Sequence, residues 1–138
     1  MIKTGYFAKH NGIDGIAISL YTPKFFKGRA YKKLAPTVQI LEWWNASAKD
    51  SKAQIIYRKL YYRDVLNKLD ANEVAKELDG KTLLCYERPG EFCHRHIVAE
   101  WLTAAGYPCK EEDPMPEQEL YEFYGRLYEL FGKDLKII

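Results

Sequence analysis

The residues best suited to chemistry lie in one short segment, residues 85–95, which reads Cys-Tyr-Glu-Arg-Pro-Gly-Glu-Phe-Cys-His-Arg. Thiol, carboxyl, imidazole and guanidinium groups serve as nucleophiles, as acid–base groups and as anion ligands in enzymes. The candidate catalytic residues are Cys85, Glu87, Cys93, His94 and Arg95. Glu87 or His94 would supply the acid–base group, and either cysteine would supply a nucleophile. Arg95 would bind an anion.

This segment begins in a predicted strand and ends in a predicted helix. The apolar pattern predicts a strand over residues 81–87 and a helix from about residue 93 to residue 105. Ligands of open parallel sheets bind beyond the carboxyl ends of the strands, so Glu87 is expected at the rim of a site. The N–H groups of the first helical turn have no intrahelical partners, so this end attracts anions and favours a thiolate at Cys93.

Other interpretations of the same residues stay open. His94 shares a helix face with Val98 and Leu102, which is also the pattern of a buried structural histidine. Cys85, Cys93 and His94 are zinc-type ligands, but a Cys-x-x-Cys knuckle and a fourth ligand are missing, so we predict no metal. Cys85 and Cys93 could form a redox pair only if the fold brings them together.

Strands and helices alternate along the chain. Residues 1–7, 13–21 and 107–111 read as further strands, and residues 37–48, 51–69, 72–79 and 117–131 read as helices. In the helix over 51–69, an inward-facing stripe of Ile55, Tyr62, Leu66 and Leu69 is expected. This alternation predicts a single α/β domain over residues 1–138, with a mostly parallel sheet flanked by helices on both faces in a Rossmann-like, three-layer arrangement.

Length and composition exclude several classes of protein. With 138 residues, 47% hydrophobic and 29% charged, the chain matches one ordinary globular domain and not a disordered protein or a coiled coil. No run approaches the roughly 18 apolar residues of a membrane helix, and the first residues contain no signal-peptide core. The three cysteines form no even-numbered disulfide framework. We therefore expect a cytoplasmic protein with free thiols and no membrane partner.

Charge is distributed unevenly along the chain and suggests an alternative function. Residues 24–68 carry 11 Lys/Arg and 3 Asp/Glu, whereas residues 87–138 carry 6 and 11. Cations interleaved with aromatic rings can hold a phosphate backbone and stack bases. The candidate nucleic-acid residues are Lys24, Phe25, Lys27, Arg29, Tyr31, Lys32 and Lys33. The alternative interpretation is a solvated loop whose aromatic residues anchor it to the core.

Residues 83–102 resemble the domain of unknown function 488 (DUF488) family, whose hallmark is a strand ending in Cys-x-Glu followed by Cys-His-Arg at a helix start. The strand ends at Gly5 and at Ser19-Leu-Tyr-Thr-Pro23 are also similar to it, as is Leu-Ala-Pro at 34–36. Many members carry Asp-Val-Arg at the second strand end, where this chain has Ser19 and Leu20. The resemblance implies a compact α/β fold of bacterial, archaeal or phage origin, and it implies no established reaction.

Together these observations predict a site where the strand ends meet the helix start. The candidate substrate-binding residues are Gly5, Ser19, Tyr21, Pro23 and Arg95. The predicted function is an enzyme or ligand-binding domain for a small anionic substrate, such as a nucleotide. The alternative is a non-catalytic nucleic-acid-binding accessory protein that uses residues 24–33 and binds weakly. The sequence indicates no cofactor and no oligomeric state.

Overall fold

A computed structural model describes residues 1–8, 10, 14–87 and 91–112 of the chain. Within these residues, five strands form one parallel sheet in the order β3-β2-β4-β1-β5. The strands are Ile2–Tyr6 (β1), Gly15–Ala17 (β2), Arg29–Ala30 (β3), Thr82–Cys85 (β4) and Cys109–Glu111 (β5). The predicted α/β class is confirmed. The helix predicted over 117–131 lies outside the described residues.

Four α-helices connect the strands in the described part of the chain. They are Val38–Ala46 (α1), Ser51–Asp64 (α2), Ala71–Glu77 (α3) and His94–Ala104 (α4). Thr37 caps α1, because its hydroxyl oxygen accepts a hydrogen bond from the Ile40 N–H at 3.1 Å. Gly106 follows α4 with φ +99°, a conformation in which glycine is favoured. No helix in the described ranges is long and apolar enough to span a membrane.

The central strand β4 separates two clusters of buried side chains. Leu83 belongs to the larger cluster, to which all four helices contribute, and Leu84 belongs to a smaller cluster with Phe7 and Ala17. Successive side chains of a strand point to opposite faces, so the described helices pack on one face of the sheet. No described helix packs on the second face, and the three-layer arrangement stays a prediction.

The inward face of α2 differs from the expected one. Ala53, Tyr57 and Tyr61 are its buried residues, whereas Ile55 is 57% exposed. Four-residue spacing places Ala53, Tyr57 and Tyr61 along one side of the helix, and the Tyr61 hydroxyl donates to the Leu34 carbonyl at 2.6 Å. A tyrosine whose hydroxyl finds a partner can therefore be buried in place of an isoleucine. The predicted stripe through Ile55 is wrong.

The carboxyl ends of β2 and β4 meet at the start of α4. Ala17 pairs with Leu84 in the parallel register, and the Ile18 N–H continues the ladder to the Leu84 carbonyl at 3.0 Å. The residues that follow each strand are therefore neighbours. This edge of the sheet holds the side chains described next.

Candidate active site

A narrow cleft opens at the carboxyl edge of the sheet between β2, β4, α1, α2 and the start of α4. Its lining combines polar groups with apolar and aromatic walls: Ser19, Leu20, Pro36, Leu41, Trp44, Tyr57, Cys85, Tyr86, Glu87, Phe92, Cys93 and His94. Four of the five candidate catalytic residues border this cleft, namely Cys85, Glu87, Cys93 and His94. The predicted convergence of strand ends and helix start is therefore present in the structure.

Glu87 contributes a buried carboxyl group to the cleft. The residue is only 8% exposed. Burial raises its pKa to about 7, although a backbone hydrogen bond and the charge of Arg95 act in the opposite direction. A carboxyl group with this pKa is present in both protonation states at neutral pH. It can therefore donate or accept a proton near the pH at which most enzymes work.

Tyr57 of α2 faces the same cleft and was missed by the sequence analysis. Burial raises the pKa of its hydroxyl, and the negative charge of Glu87 adds to this effect. The phenol therefore stays protonated and can act only as a hydrogen-bonding group. The four-residue spacing of Tyr57 and Tyr61 was the sequence signal that could have placed it on the inward face.

His94 is held by the backbone of the residue that follows β2. Its Nε2 lies 2.7 Å from the Ile18 carbonyl oxygen, which can only accept, so Nε2 carries the proton. Burial lowers the His94 pKa to about 4, so the imidazole is neutral at pH 7. The Nδ1 atom then has a free lone pair, and it lies 3.8 Å from Cys93 Sγ. His94 is thus both buried, as one interpretation expected, and part of the cleft wall.

Cys85 and Cys93 form a disulfide that joins the end of β4 to the N-cap of α4. The expectation of three free thiols is wrong for these two cysteines, because the end of β4 and the start of α4 lie close enough for their sulfurs to bond. Cys109 is free in β5, and burial raises its pKa, which agrees with the inert thiol expected there. The ligand atoms of Cys85, Cys93 and His94 lie within 4.8 Å of one another, but only the reduced pair could offer thiolates to a metal.

Arg95 is fully buried behind the cleft and does not line it. Its Nε donates to both carboxylate oxygens of Glu111 at 3.1 and 3.2 Å. Its Nη1 donates to the Glu87 carbonyl at 2.7 Å and to Cys85 Sγ at 3.2 Å. The carboxylate partner of Arg95 therefore belongs to this chain, and the binding of an external anion by Arg95 stays a prediction.

Glu111 is the residue that the sequence analysis missed as a partner of this cluster. Besides Arg95, it accepts a hydrogen bond from the Thr4 hydroxyl at 3.1 Å and lies 3.4 Å from His96 Nδ1. It comes from β5, which pairs with β1 at the far side of the sheet. The network fixes β1, β5 and α4 relative to one another.

The candidate substrate-binding residues separate in space. Ser19 lines the cleft, and its hydroxyl donates to the Tyr21 carbonyl at 2.8 Å. Tyr21 and Pro23 follow along the chain but do not line the cleft. Gly5 lies in β1, where a Cβ atom would meet the carboxylate of Glu112 at 2.6 Å. Gly5 therefore allows Glu112 to approach β1 closely, and this role involves no contact with a ligand in the cleft.

The basic segment 24–33 packs its aromatic residues on protein. Phe25 and Phe26 lie 6.4 and 5.1 Å from Phe7 between ring centroids. The Tyr31 hydroxyl donates to Glu77 at 2.7 Å. These contacts match the interpretation of an anchored surface loop. The charged residues Lys24, Lys27, Arg29, Lys32 and Lys33 are exposed, and their role in nucleic-acid binding stays a prediction.

A sequence model of the active DUF488-N3 subclade, DUF488-N3a, matches residues 16–106. The chain belongs to the DUF488-N3a family. The resemblance drawn from the Cys-x-Glu and Cys-His-Arg motifs is thereby confirmed. No curated protein and no solved structure matches the chain.

The DUF488-N3a match runs from β2 to the end of α4 and includes every residue that lines the cleft. Cys85, Glu87, Cys93, His94 and Arg95 all lie within it. Glu111, which closes the network around Arg95, lies outside the matched residues. The cleft and its motif thus lie within the matched segment, and their chemistry has to be argued from the geometry.

Proposed function

We propose that this DUF488-N3a protein is an enzyme that uses Glu87 as a general acid–base group on a small anionic substrate of the nucleotide class. The observation that carries the proposal is the Glu87 carboxyl group, buried in a cleft and half-ionised near pH 7. Buried carboxyl groups with raised pKa values are a hallmark of acid–base catalysis.

The start of α4 and a nearby lysine support a substrate that carries an anionic group. Cys93 caps α4 without a side-chain hydrogen bond, and no acidic residue lies in the first turn, so the first N–H groups of α4 remain available to an anion. Lys49 carries a positive charge that acts on Glu87, and its Nζ lies 5.8 Å from the centre of the Trp44 ring. An anionic group beside Lys49 and α4 would be attracted by both.

Aromatic side chains form one wall of the cleft. Trp44 and Phe92 lie 4.8 Å apart between ring centroids, and Tyr57 packs against both. Trp44 and Tyr57 are buried, so these rings shape a narrow cleft. The part of a nucleotide that would enter it is the anionic phosphate.

The reaction is assigned to the carboxyl group and not to a cysteine nucleophile. In the disulfide, neither Cys85 nor Cys93 has a thiolate to attack a substrate. Ionised Glu87 can take a proton from a substrate or from water, and protonated Glu87 can return one to a leaving group. His94 is neutral and fixed by the Ile18 carbonyl, so it positions the start of α4.

The test is a binding and turnover screen on the full chain. Calorimetry with nucleoside mono-, di- and triphosphates should find a binder, and products should be followed by chromatography. Glu87→Gln should lower turnover about 100-fold or more, the usual size of an acid–base contribution, while Kd stays within a few-fold. Glu42→Gln, an exposed change on α1, is the matched control. Absence of any nucleotide binding, or full turnover by Glu87→Gln, would contradict the proposal.

A further inference from the structure

The two sulfurs of the Cys85–Cys93 disulfide have different neighbours. Cys85 Sγ lies 3.2 Å from Arg95 Nη1, a donor of a fully buried and permanently charged guanidinium. Cys93 Sγ lies 3.8 Å from His94 Nδ1, the imidazole nitrogen with a free lone pair. The bond therefore joins one sulfur beside a cation to another beside a neutral acceptor.

These neighbours dictate the state of each cysteine after reduction. A cation that donates a hydrogen bond to a sulfur stabilises the thiolate, so Cys85 is the better leaving group. His94 Nδ1 can accept the S–H of Cys93 and orient that thiol. A leaving thiolate that is stabilised in place accelerates thiol–disulfide exchange.

Access also differs between the two cysteines. Both line the cleft of Glu87, but only Cys93 also lines a second cleft between α2 and α4. That second cleft is bordered by Gln54, Arg58 and Glu100 and is open to solvent. Cys85 and Cys93 are only 1% and 2% exposed, so an external sulfur must approach through the second cleft, which Cys93 lines and Cys85 does not.

We propose that Cys85 and Cys93 form a reversible dithiol–disulfide centre that exchanges with low-molecular-weight thiols of the glutathione class. A thiolate of the small thiol attacks Cys93 Sγ, the Cys85–Cys93 bond breaks, and Cys85 leaves with the electron pair as a thiolate beside Arg95. A second small thiolate then attacks the external sulfur of this mixed disulfide. That step releases the small disulfide and Cys93.

The exchange balances without any further reactant. Two small thiols lose two electrons and become one disulfide, and the protein disulfide gains those electrons. Of the two protons from the small thiols, one is taken up by Cys93, and the other passes to the solvent because Cys85 remains a thiolate. Oxidation of the dithiol by the small disulfide is the same sequence in reverse. This chemistry goes beyond the acid–base role of Glu87 and does not depend on it.

The experiment titrates the full chain at pH 7 in buffers that span the ratios of reduced to oxidised glutathione. Rapid acid quenching, alkylation and mass spectrometry give the fraction reduced and the position of any mixed disulfide. Both redox forms should be populated within the series, with the mixed disulfide on Cys93. In Cys85→Ser, glutathione should accumulate on Cys93. In Cys93→Ser, glutathione should add to Cys85 at least tenfold more slowly than it adds to Cys93 in Cys85→Ser. Cys109→Ser, which removes the free thiol of β5, should match the wild type.

Three results would overturn the proposal. A pair that stays oxidised at every ratio is a structural disulfide, because such bonds resist reduction by glutathione. A pair that stays reduced at every ratio forms no disulfide centre. A mixed disulfide found mainly on Cys85 reverses the roles drawn from Arg95 and His94. The wild-type titration answers all three points even if a serine variant fails to fold.

Discussion

Glu111 and Glu87 both border the buried guanidinium of Arg95, yet only one of the two carboxylates pairs with it. Glu111 receives the Arg95 Nε at 3.1 and 3.2 Å and the Thr4 hydroxyl at 3.1 Å. Glu87 offers Arg95 its backbone carbonyl, at 2.7 Å from Nη1. The carboxyl group of Glu87 faces the cleft instead.

This difference separates a structural acid from a chemical one. A buried carboxylate with a cation and hydrogen-bond donors is satisfied and holds elements together. A buried carboxyl group without such a set keeps its proton more tightly, and Glu87 accordingly has a pKa of about 7. Arg95 contacts both residues. It donates a hydrogen bond to the backbone carbonyl of Glu87, and its charge pairs with the carboxylate of Glu111.

The largest expected effect comes from removing the shared cation. Arg95→Met should lower the free energy of unfolding by about 3–5 kcal/mol, because it removes the charge-assisted hydrogen bonds to Glu111 and to the Glu87 carbonyl, each worth about 1.5–3 kcal/mol. Urea unfolding at pH 7 measures this effect. Arg63→Met is the control, since Arg63 is exposed and pairs with the adjacent Asp64, so its loss should leave the free energy of unfolding almost unchanged. If Arg95→Met loses as little stability as Arg63→Met, the network of Arg95, Glu111 and Thr4 does not stabilise the fold.

The next largest effect is a gain in the free energy of unfolding, and it comes from substituting Glu87. Its folded pKa, about 7, is above the ordinary value of 4.5, so the wild type loses stability as pH rises from about 4.5 to 7. Glu87→Gln carries no charge and avoids that loss. The variant should therefore be more stable than the wild type by about 3 kcal/mol at pH 8, and by less than about 1 kcal/mol at pH 5.

Urea unfolding of Glu87→Gln and wild type in parallel at pH 5 and pH 8 measures this gain. Other groups that titrate, such as His94, are common to both proteins and cancel in the difference. Glu42→Gln should show no such dependence on pH. A Glu87→Gln protein that is less stable than the wild type at pH 8 would place Glu87 with Glu111, as a satisfied structural acid.

The smallest effect is expected at Glu111. Glu111→Gln keeps the shape and loses the charge that pairs with Arg95, so it should lower the free energy of unfolding by about 1–3 kcal/mol at pH 7. The same unfolding assay at pH 7 measures it. The two glutamine substitutions thus move stability in opposite directions, and equal signs would remove the distinction between the two acids.

The sequence predicted the location of the site better than its contacts. Glu87 and His94 could be placed at one edge because parallel strands end on the same side of a sheet and the helix starts there. Glu111 lies 16 residues beyond Arg95 along the chain. Their pairing could not be predicted, since it depends on β5 lying beside β1. The disulfide depended likewise on how closely the end of β4 lies to the start of α4.

The caps of the helices followed from local signals. Thr37 and the glycine after α4 act through contacts within a few residues, so sequence alone is sufficient to predict them. To predict that Tyr57 is buried and Ile55 is exposed, one would have to know which residues pack against each side of α2. That information belongs to the tertiary structure.

The most direct test of the account is the titration of the Glu87 carboxyl group itself. Protein labelled with ¹³C at the glutamate side-chain carboxyl carbon allows each glutamate to be followed by NMR across pH, and Glu87→Gln assigns the Glu87 resonance. The account predicts a midpoint of about 7 for Glu87. A midpoint near the ordinary value of 4.5 would contradict the claim that burial holds a carboxyl group ready for proton transfer in this cleft.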